Sequence, residues 1–167
     1  MNKLSAKYKG LIVGILMIIT YLLIYKKGNF DDNLQLLLRY GLYIGGIIWT
    51  LISFHNSSPI NNTFRNYFSE GFKYFIIVTL LMVIFYFIFL KMTPGIKEKL
   101  FQQNMDELKM KGDKTPAEIN SIIEDAKKHF ITMFTFVTIF GHMIVGALVT
   151  AIISSIMIRN KKTVNQA

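Results

Sequence analysis

Four apolar segments divide this chain, and each has about the length that crosses a lipid bilayer. An α-helix rises about 1.5 Å per residue, so a hydrocarbon core of about 30 Å takes about 20 residues. Charged residues collect at the ends of the segments, and 52% of the 167 residues are hydrophobic while 17% are charged. We therefore predict an all-α, polytopic membrane protein with a single membrane domain over residues 1–167. Its four transmembrane helices are predicted at 8–25, 34–54, 72–91 and 134–158.

A hydrophilic segment separates the third and fourth predicted spans, and its eight Lys and seven Asp or Glu nearly cancel. Thr93-Pro94 offers a hydroxyl N-cap with Pro at the first helical position, and Thr115 with Glu118 forms a capping box. We predict an amphipathic helical hairpin over 93–130 whose second arm continues into the fourth span. Packing of the arms on each other is favoured over docking onto a partner. The apolar residues with helical spacing are Ile96, Leu100, Met105 and Leu108, then Ile119, Ile122, Ile123, Ala126 and Phe130.

The net charge of +9 comes mainly from the two termini, which carry three cations each and no acid. Cations at the ends of apolar segments indicate orientation, because loops rich in Lys and Arg stay in the cytoplasm. An even number of spans puts both termini on one side, which we predict to be cytoplasmic. The lipid bilayer accounts for these charges, so we predict no nucleic-acid partner. The six cations are Lys3, Lys7, Lys9, Arg159, Lys161 and Lys162.

Two polar residues inside predicted spans are candidates for ligand binding, Arg39 in the second span and His142 in the fourth. Counting residues from the span ends places both in the outer leaflet at similar depth. Ionisable groups within a span are candidate functional residues, so a shared polar pocket is one interpretation. Two alternatives stay open: the Arg39 guanidinium could extend to the headgroups, and His142 could simply pack. The pocket could also include Asp31 or Asp32, Tyr43 and Thr50.

Small residues recur at close spacing in three of the predicted spans, a pattern that lets transmembrane helices approach closely. The first and second spans each contain a GxxxG pair, and the fourth has a ridge of small residues. These faces are predicted to pack helices within the bundle, with a membrane-protein partner or a second copy of the chain as the alternative. The predicted packing residues are Gly10, Gly14, Gly41, Gly45, Gly46, Gly146, Ala147 and Ala151.

Known motifs for catalysis and metal binding are missing from the sequence. It has no Cys, no HExxH, no Walker loop and no GxSxG, and no carboxylate lies inside a predicted span. We therefore predict no catalytic residues, no metal and no cofactor. An enzyme would have to use carboxylates of the hairpin, which are more simply interpreted as a solvated face. These are Glu98, Asp106, Glu107, Glu124 and Asp125.

Several stretches, taken in order, resemble one family. They are the run from Thr63 to Lys73, Thr93-Pro94, the Met-rich hairpin ending in Lys127-Lys128, and a Gly- and Ala-rich last helix ending in Arg159-Asn160-Lys161-Lys162. The order resembles the domain of unknown function 4199 family of bacterial membrane proteins, found mainly in Bacteroidota. The resemblance covers nearly the whole chain. It implies a four-helix protein of the bacterial inner membrane, often encoded beside a membrane glycosyltransferase that acts on a lipid carrier, and it assigns no functional residues.

Two hypotheses about function follow. The first is a non-enzymatic accessory or scaffold subunit of an inner-membrane complex, in envelope or lipid-linked glycan biogenesis. The alternative is a small transporter or a lipid- or anion-binding protein that uses Arg39 and His142. One polar residue per helix is sparse for a conduction path, so the first hypothesis is favoured.

Overall fold

A computed structural model describes residues 4–27, 32–57 and 62–164, apart from the side chains of residues 32, 33, 100 and 160–164. Within these ranges the chain is almost entirely helical and contains no strand. The five helices are α1 (Ala6–Lys27), α2 (Asp32–His55), α3 (Phe64–Met92), α4 (Pro94–Lys111) and α5 (Pro116–Val164).

Four of these helices, α1, α2, α3 and α5, are long and apolar enough to cross a membrane. The prediction of an all-α polytopic membrane protein is therefore confirmed. α3 begins at Phe64, before the predicted start of the third span at residue 72. α5 is one uninterrupted helix of 49 residues, so the second hairpin arm and the fourth span share a single backbone helix.

The first of two compact units comprises Met1–Met82 and Ile139–Ala167, and α3 contacts each of its other helices. Glycines make these close contacts possible: a Cβ at Gly10 of α1 would lie 2.8 Å from the carbonyl oxygen of Tyr74, and one at Gly14 would lie 2.6 Å from a methyl carbon of Leu81. α3 accordingly presents a buried stripe at helical spacing to its neighbours. The stripe consists of Tyr67, Gly71, Tyr74, Phe75, Val78 and Met82.

The second unit comprises Val83–Thr138 and contains the hairpin, with its own apolar cluster. Phe101 of α4 is buried against Ile119 and Ile123 of α5, and Phe130 meets the Phe101 ring edge-on at 5.2 Å. Met105, Leu108 and Ala126 pack around this cluster, so the two arms do pack on each other. The prediction for Ile122 was wrong, because its side chain is 43% exposed at the edge of the apolar face and does not join the cluster.

Some of the capping interactions predicted for the hairpin helices are formed and others are not. Gly112 ends α4 at a positive φ of 66°, a conformation that glycine adopts without a steric penalty. Thr93 is at the N-cap of α4, but its hydroxyl makes no capping hydrogen bond, so that part of the prediction was wrong. The capping box of α5 is formed: the Glu118 amide donates to Thr115 Oγ1 at 3.3 Å, and the Thr115 amide donates to Glu118 Oε2 at 2.7 Å.

The capping box should make the first turn of α5 sensitive to pH. The backbone amide of Thr115, and then its hydroxyl, donate to the Glu118 carboxylate and hold its pKa below the ordinary carboxyl value. The stabilisation of the first turn by the charged Glu118 carboxylate is fully present above the ordinary carboxyl pKa. It is lost as the pH falls through the lowered pKa of Glu118. We expect Glu118→Ala to lower the protection of the Thr115 amide against hydrogen exchange at neutral pH, relative to its intrinsic rate, and to remove the pH dependence of that protection. Glu124→Ala, an exposed acid on the same helix, is the control and should change neither.

Candidate functional site

His142 lies among tyrosine rings from α2 in the first unit. Its side chain is 3% exposed, so it is buried within the protein. The Tyr40 ring is stacked with the imidazole at a centroid distance of 6.3 Å, and the Tyr43 ring meets it edge-on at 5.2 Å. Tyr43 also donates its hydroxyl proton to the carbonyl oxygen of His142 at 2.8 Å. The imidazole is therefore held by α2 on two sides.

Arg39 joins this group through the same Tyr40 ring. The centre of its guanidinium lies 5.1 Å from the Tyr40 ring centroid, a cation–π distance. Its side chain is half-buried, and its Nε atom has no hydrogen-bond partner among the described residues. Arg39 and His142 therefore both contact the ring of Tyr40. We call Arg39, Tyr40, Tyr43 and His142 the aromatic site.

Two tyrosine hydroxyls in this region reach the backbone of neighbouring helices, and a glycine accompanies each. Tyr43 bonds to the carbonyl of His142, and a Cβ at Gly146, one turn further along α5, would overlap the Tyr43 hydroxyl. Tyr74 bonds to the carbonyl of Tyr43 at 3.2 Å, and a Cβ at Gly46 would overlap the Tyr74 hydroxyl. These glycines leave the space in which a phenol reaches a helix backbone.

The other residues suggested for the pocket divide into two groups. Tyr43 is a member of the aromatic site, as proposed. Thr50 is not: its hydroxyl donates to the Gly46 carbonyl at 2.8 Å, and its side chain lines a different cavity. Asp31 and the side chain of Asp32 lie outside the described residues.

The predicted packing glycines have two different environments. Gly10, Gly14, Gly46 and Gly146 face neighbouring helices, whereas a Cβ at Gly41 or Gly45 would have no heavy atom within 4 Å among the described residues. Ala147 and Ala151 are half-buried beside a buried ridge of α5. We call the side of α2 that carries Gly41 and Gly45 the outer α2 face. It consists of Leu37, Gly41, Gly45, Ile48 and Ile52, all exposed.

Residues that the sequence did not single out also shape this region. Tyr40 and Tyr74 look like ordinary aromatic residues of a span, and Lys9 looks like a terminal charge. Lys9 is nevertheless buried, in register with Ala6, Gly10, Val13 and Gly14 on the inner stripe of α1. That i, i+3, i+4 register with the glycine pair is the signal that could have identified it.

The remaining candidate chemistry of the chain lies on the hairpin. The five hairpin carboxylates are exposed: Asp106 accepts a hydrogen bond from Gln102, and Asp125 lies 3.5 Å from His129 on the same helix. Within residues 4–27, 32–57 and 62–164, no group of three or more His, Cys, Asp or Glu side chains is placed to hold a metal.

The fold and the glycine-mediated contacts define a multi-pass membrane protein built from four helices long enough to cross a bilayer. Residues 8–159 match the family described as "Protein of unknown function (DUF4199)", and the chain belongs to that family. The match confirms the resemblance drawn from the sequence. No curated protein and no solved structure matches the chain.

Proposed function

We propose that the protein is a non-enzymatic accessory or scaffold subunit of a complex in the bacterial inner membrane, with both termini in the cytoplasm. The outer α2 face is the surface that would hold the partner, a second membrane protein with a complementary helix. The proposed setting, envelope or lipid-linked glycan biogenesis, comes from the family resemblance.

One observation carries the proposal. Four of the six glycines predicted for helix packing contact neighbouring helices of the same chain, but a Cβ at Gly41 or Gly45 would meet no heavy atom within 4 Å in the part of the chain that the structure describes. A glycine in a transmembrane helix gives up side-chain contacts with lipid, and its usual compensation is the close approach of another helix. A GxxxG pair that faces outward, between exposed Leu37 and Ile48, fits a helix from another protein.

Purification of the full-length protein from its native membranes tests the proposal. The protein is extracted in several mild detergents, and every species in the purified sample is identified by native mass spectrometry. We expect a second membrane protein at a fixed ratio to the chain. Recovery as a lone monomer or only as a homodimer in all detergents would contradict the proposal.

A second candidate function is binding of an anionic lipid or other anion at the aromatic site. It is supported by the position of Arg39, whose guanidinium lies over Tyr40 with a buried Nε that has no hydrogen-bond partner among the described residues. An oxyanion would supply the missing acceptor, and guanidinium groups bind oxyanions in a fork geometry. His142 is stacked with the same Tyr40 ring, so it would position the ring against which the Arg39 guanidinium lies.

Loss of co-purified lipid measures this second function. We expect Arg39→Leu and His142→Leu each to lower the anionic lipid retained per protein about tenfold, the scale of one charged hydrogen bond. Lys26→Leu removes an exposed cation from the end of α1 and should retain the wild-type amount. Lipid is quantified by mass spectrometry after a long detergent wash, and thermal unfolding verifies each variant's fold. Wild-type retention by folded Arg39→Leu would rule the function out.

A further inference from the structure

A cavity of about 140 Å³ opens where the start of α1, the end of α2 and the start of α3 meet. A single buried water needs only about 10–15 Å³ of such space, so the cavity is large enough for a small group of atoms. Its lining changes with depth: Ser5 and Ser57 are exposed, whereas Lys9 and Thr50 are buried. The cavity therefore leads from an exposed rim to a buried cation.

Lys9 is the residue that gives this cavity a chemical preference. Its side chain is only 4% exposed, and its ammonium lies 5.3 Å from the centroid of the Trp49 ring. No carboxylate of the described residues lies within 4 Å of that ammonium. A buried cation without a counter-ion is costly, and lysines near the ends of membrane helices usually extend to the interface instead. Lys9 instead stays buried and lines the cavity.

Further donors surround the same space. Ser5 directly precedes α1, and its carbonyl accepts the Lys9 amide at 3.1 Å, so the first turn of α1 presents free N–H groups at the positive end of a helix. Ser5 and Ser53 also line the cavity, and each carries a hydroxyl group that can donate a hydrogen bond. Together with Lys9, these groups form a set of donors that suits an anion with several oxygens.

Glu70, the one acid in the lining, attracts Lys9 electrostatically but does not cancel this preference. Glu70 has a cation of its own, because Lys73 donates to its carboxylate at 2.6 Å. Thr50 and Ser57 donate their hydroxyl protons to carbonyls of α2, so their oxygens act only as acceptors. The free positive charge of the cavity therefore comes from Lys9 and the start of α1.

We propose that this cavity binds a phosphate group, either the headgroup of an anionic phospholipid or a soluble phosphate. A phosphate has several acceptor oxygens. They could accept hydrogen bonds together from one ammonium, two hydroxyls and the N–H groups at the start of α1, whereas no single residue of the lining supplies this set of donors. The site is separate from the aromatic site and from the outer α2 face, so it does not depend on the proposed function.

Binding of defined probes to the full-length protein in detergent tests this proposal. After delipidation, native mass spectrometry measures the retention of phosphatidylglycerol, of diacylglycerol with the same acyl chains and of inorganic phosphate. The variants are Lys9→Met, which keeps the length of the side chain without its charge, and Lys9→Arg, which keeps the charge. Lys7→Met is the matched control, since Lys7 is exposed on the same turn.

We expect Lys9→Met to weaken binding of a phosphate-containing probe about tenfold, while Lys7→Met and Lys9→Arg stay within about twofold of wild type. Phosphatidylglycerol retained in competition with millimolar inorganic phosphate identifies a lipid headgroup, and displacement identifies a soluble phosphate. Lys9→Met should unfold at or above the wild-type temperature, because it removes a buried charge. Equal binding of diacylglycerol and phosphatidylglycerol without phosphate binding, equal losses in Lys7→Met and Lys9→Met, or unchanged binding in Lys9→Met would each overturn the proposal.

Discussion

Replacing Gly146 with alanine should destabilise the protein, although helix propensity alone predicts the opposite. Within a helix, alanine is favoured over glycine by about 0.5–1 kcal/mol. At Gly146, however, the added Cβ would overlap the Tyr43 hydroxyl and lie 2.7 Å from Phe75 Cγ. Overpacking of this kind costs about 1–3 kcal/mol, and displacing Tyr43 also removes its hydrogen bond to His142. We expect a net loss of about 2 kcal/mol.

The measurement is the free energy of unfolding of the purified protein in detergent, with Gly141→Ala as the control. A Cβ at Gly141 would meet only the Tyr40 hydroxyl, at 4.0 Å, so this variant should be as stable as wild type or more so. Adding Tyr43→Phe to the Gly146→Ala variant removes one clashing atom and should recover part of the loss. A Gly146→Ala variant as stable as Gly141→Ala would show that the contact of α5 with Tyr43 and Phe75 is not formed.

Replacing both Gly41 and Gly45 with leucine should have the opposite effect to Gly146→Ala. The protein should fold normally but lose its association with the partner protein. A Cβ at either position would have no heavy atom of the described residues within 4 Å, and both positions are exposed, so the unfolding free energy should stay within about 0.5 kcal/mol of wild type. A bulky residue at a GxxxG pair separates the two helix backbones and removes the close packing that holds them. We expect the doubly substituted protein to bind its partner at least about tenfold more weakly, which corresponds to about 1.4 kcal/mol.

Recovery of the partner from native membranes provides the readout for this second prediction. Leu148→Phe is the control, because Leu148 is exposed on α5 and also faces outward, so a larger side chain there should not affect the partner. Alanine at Gly41 and Gly45 should give an intermediate loss. Undiminished recovery with leucine at both positions would contradict binding of a partner at the outer α2 face.

The architecture could be predicted well from the sequence because it depends on properties averaged over each segment. Segment length, apolar content and the capping and Gly signals indicate four spans and a hairpin, and these signals act locally along the chain. Contacts between helices are different, because a given face of a span is apolar whether it meets lipid or another helix. Gly10 and Gly41 therefore look alike in the sequence, although Gly10 packs on α3 and a Cβ at Gly41 would have no neighbour within 4 Å among the described residues.

In the candidate sites, too, the properties of single segments could be predicted from the sequence and the contacts between helices could not. Arg39 and His142 could be identified because a charge inside a span is rare, and depth along each helix suggested that they lie near one another. Tyr40, which connects them, could not be identified, since tyrosine is common near the ends of spans. Lys9 looks like an orienting charge in the sequence, but its register with the glycine pair of α1 and its 4% exposure distinguish it from Lys7.

Photo-crosslinking in native membranes tests the central claim, that the outer α2 face holds another protein, most directly. A photoreactive amino acid is placed at Leu37, which is 69% exposed on that face, and at Leu148, which is 59% exposed on α5. We predict that the probe at Leu37 forms an adduct with a membrane protein and that the probe at Leu148 forms adducts with lipid only. Adducts with lipid alone from both positions, at equal labelling efficiency, would contradict the claim.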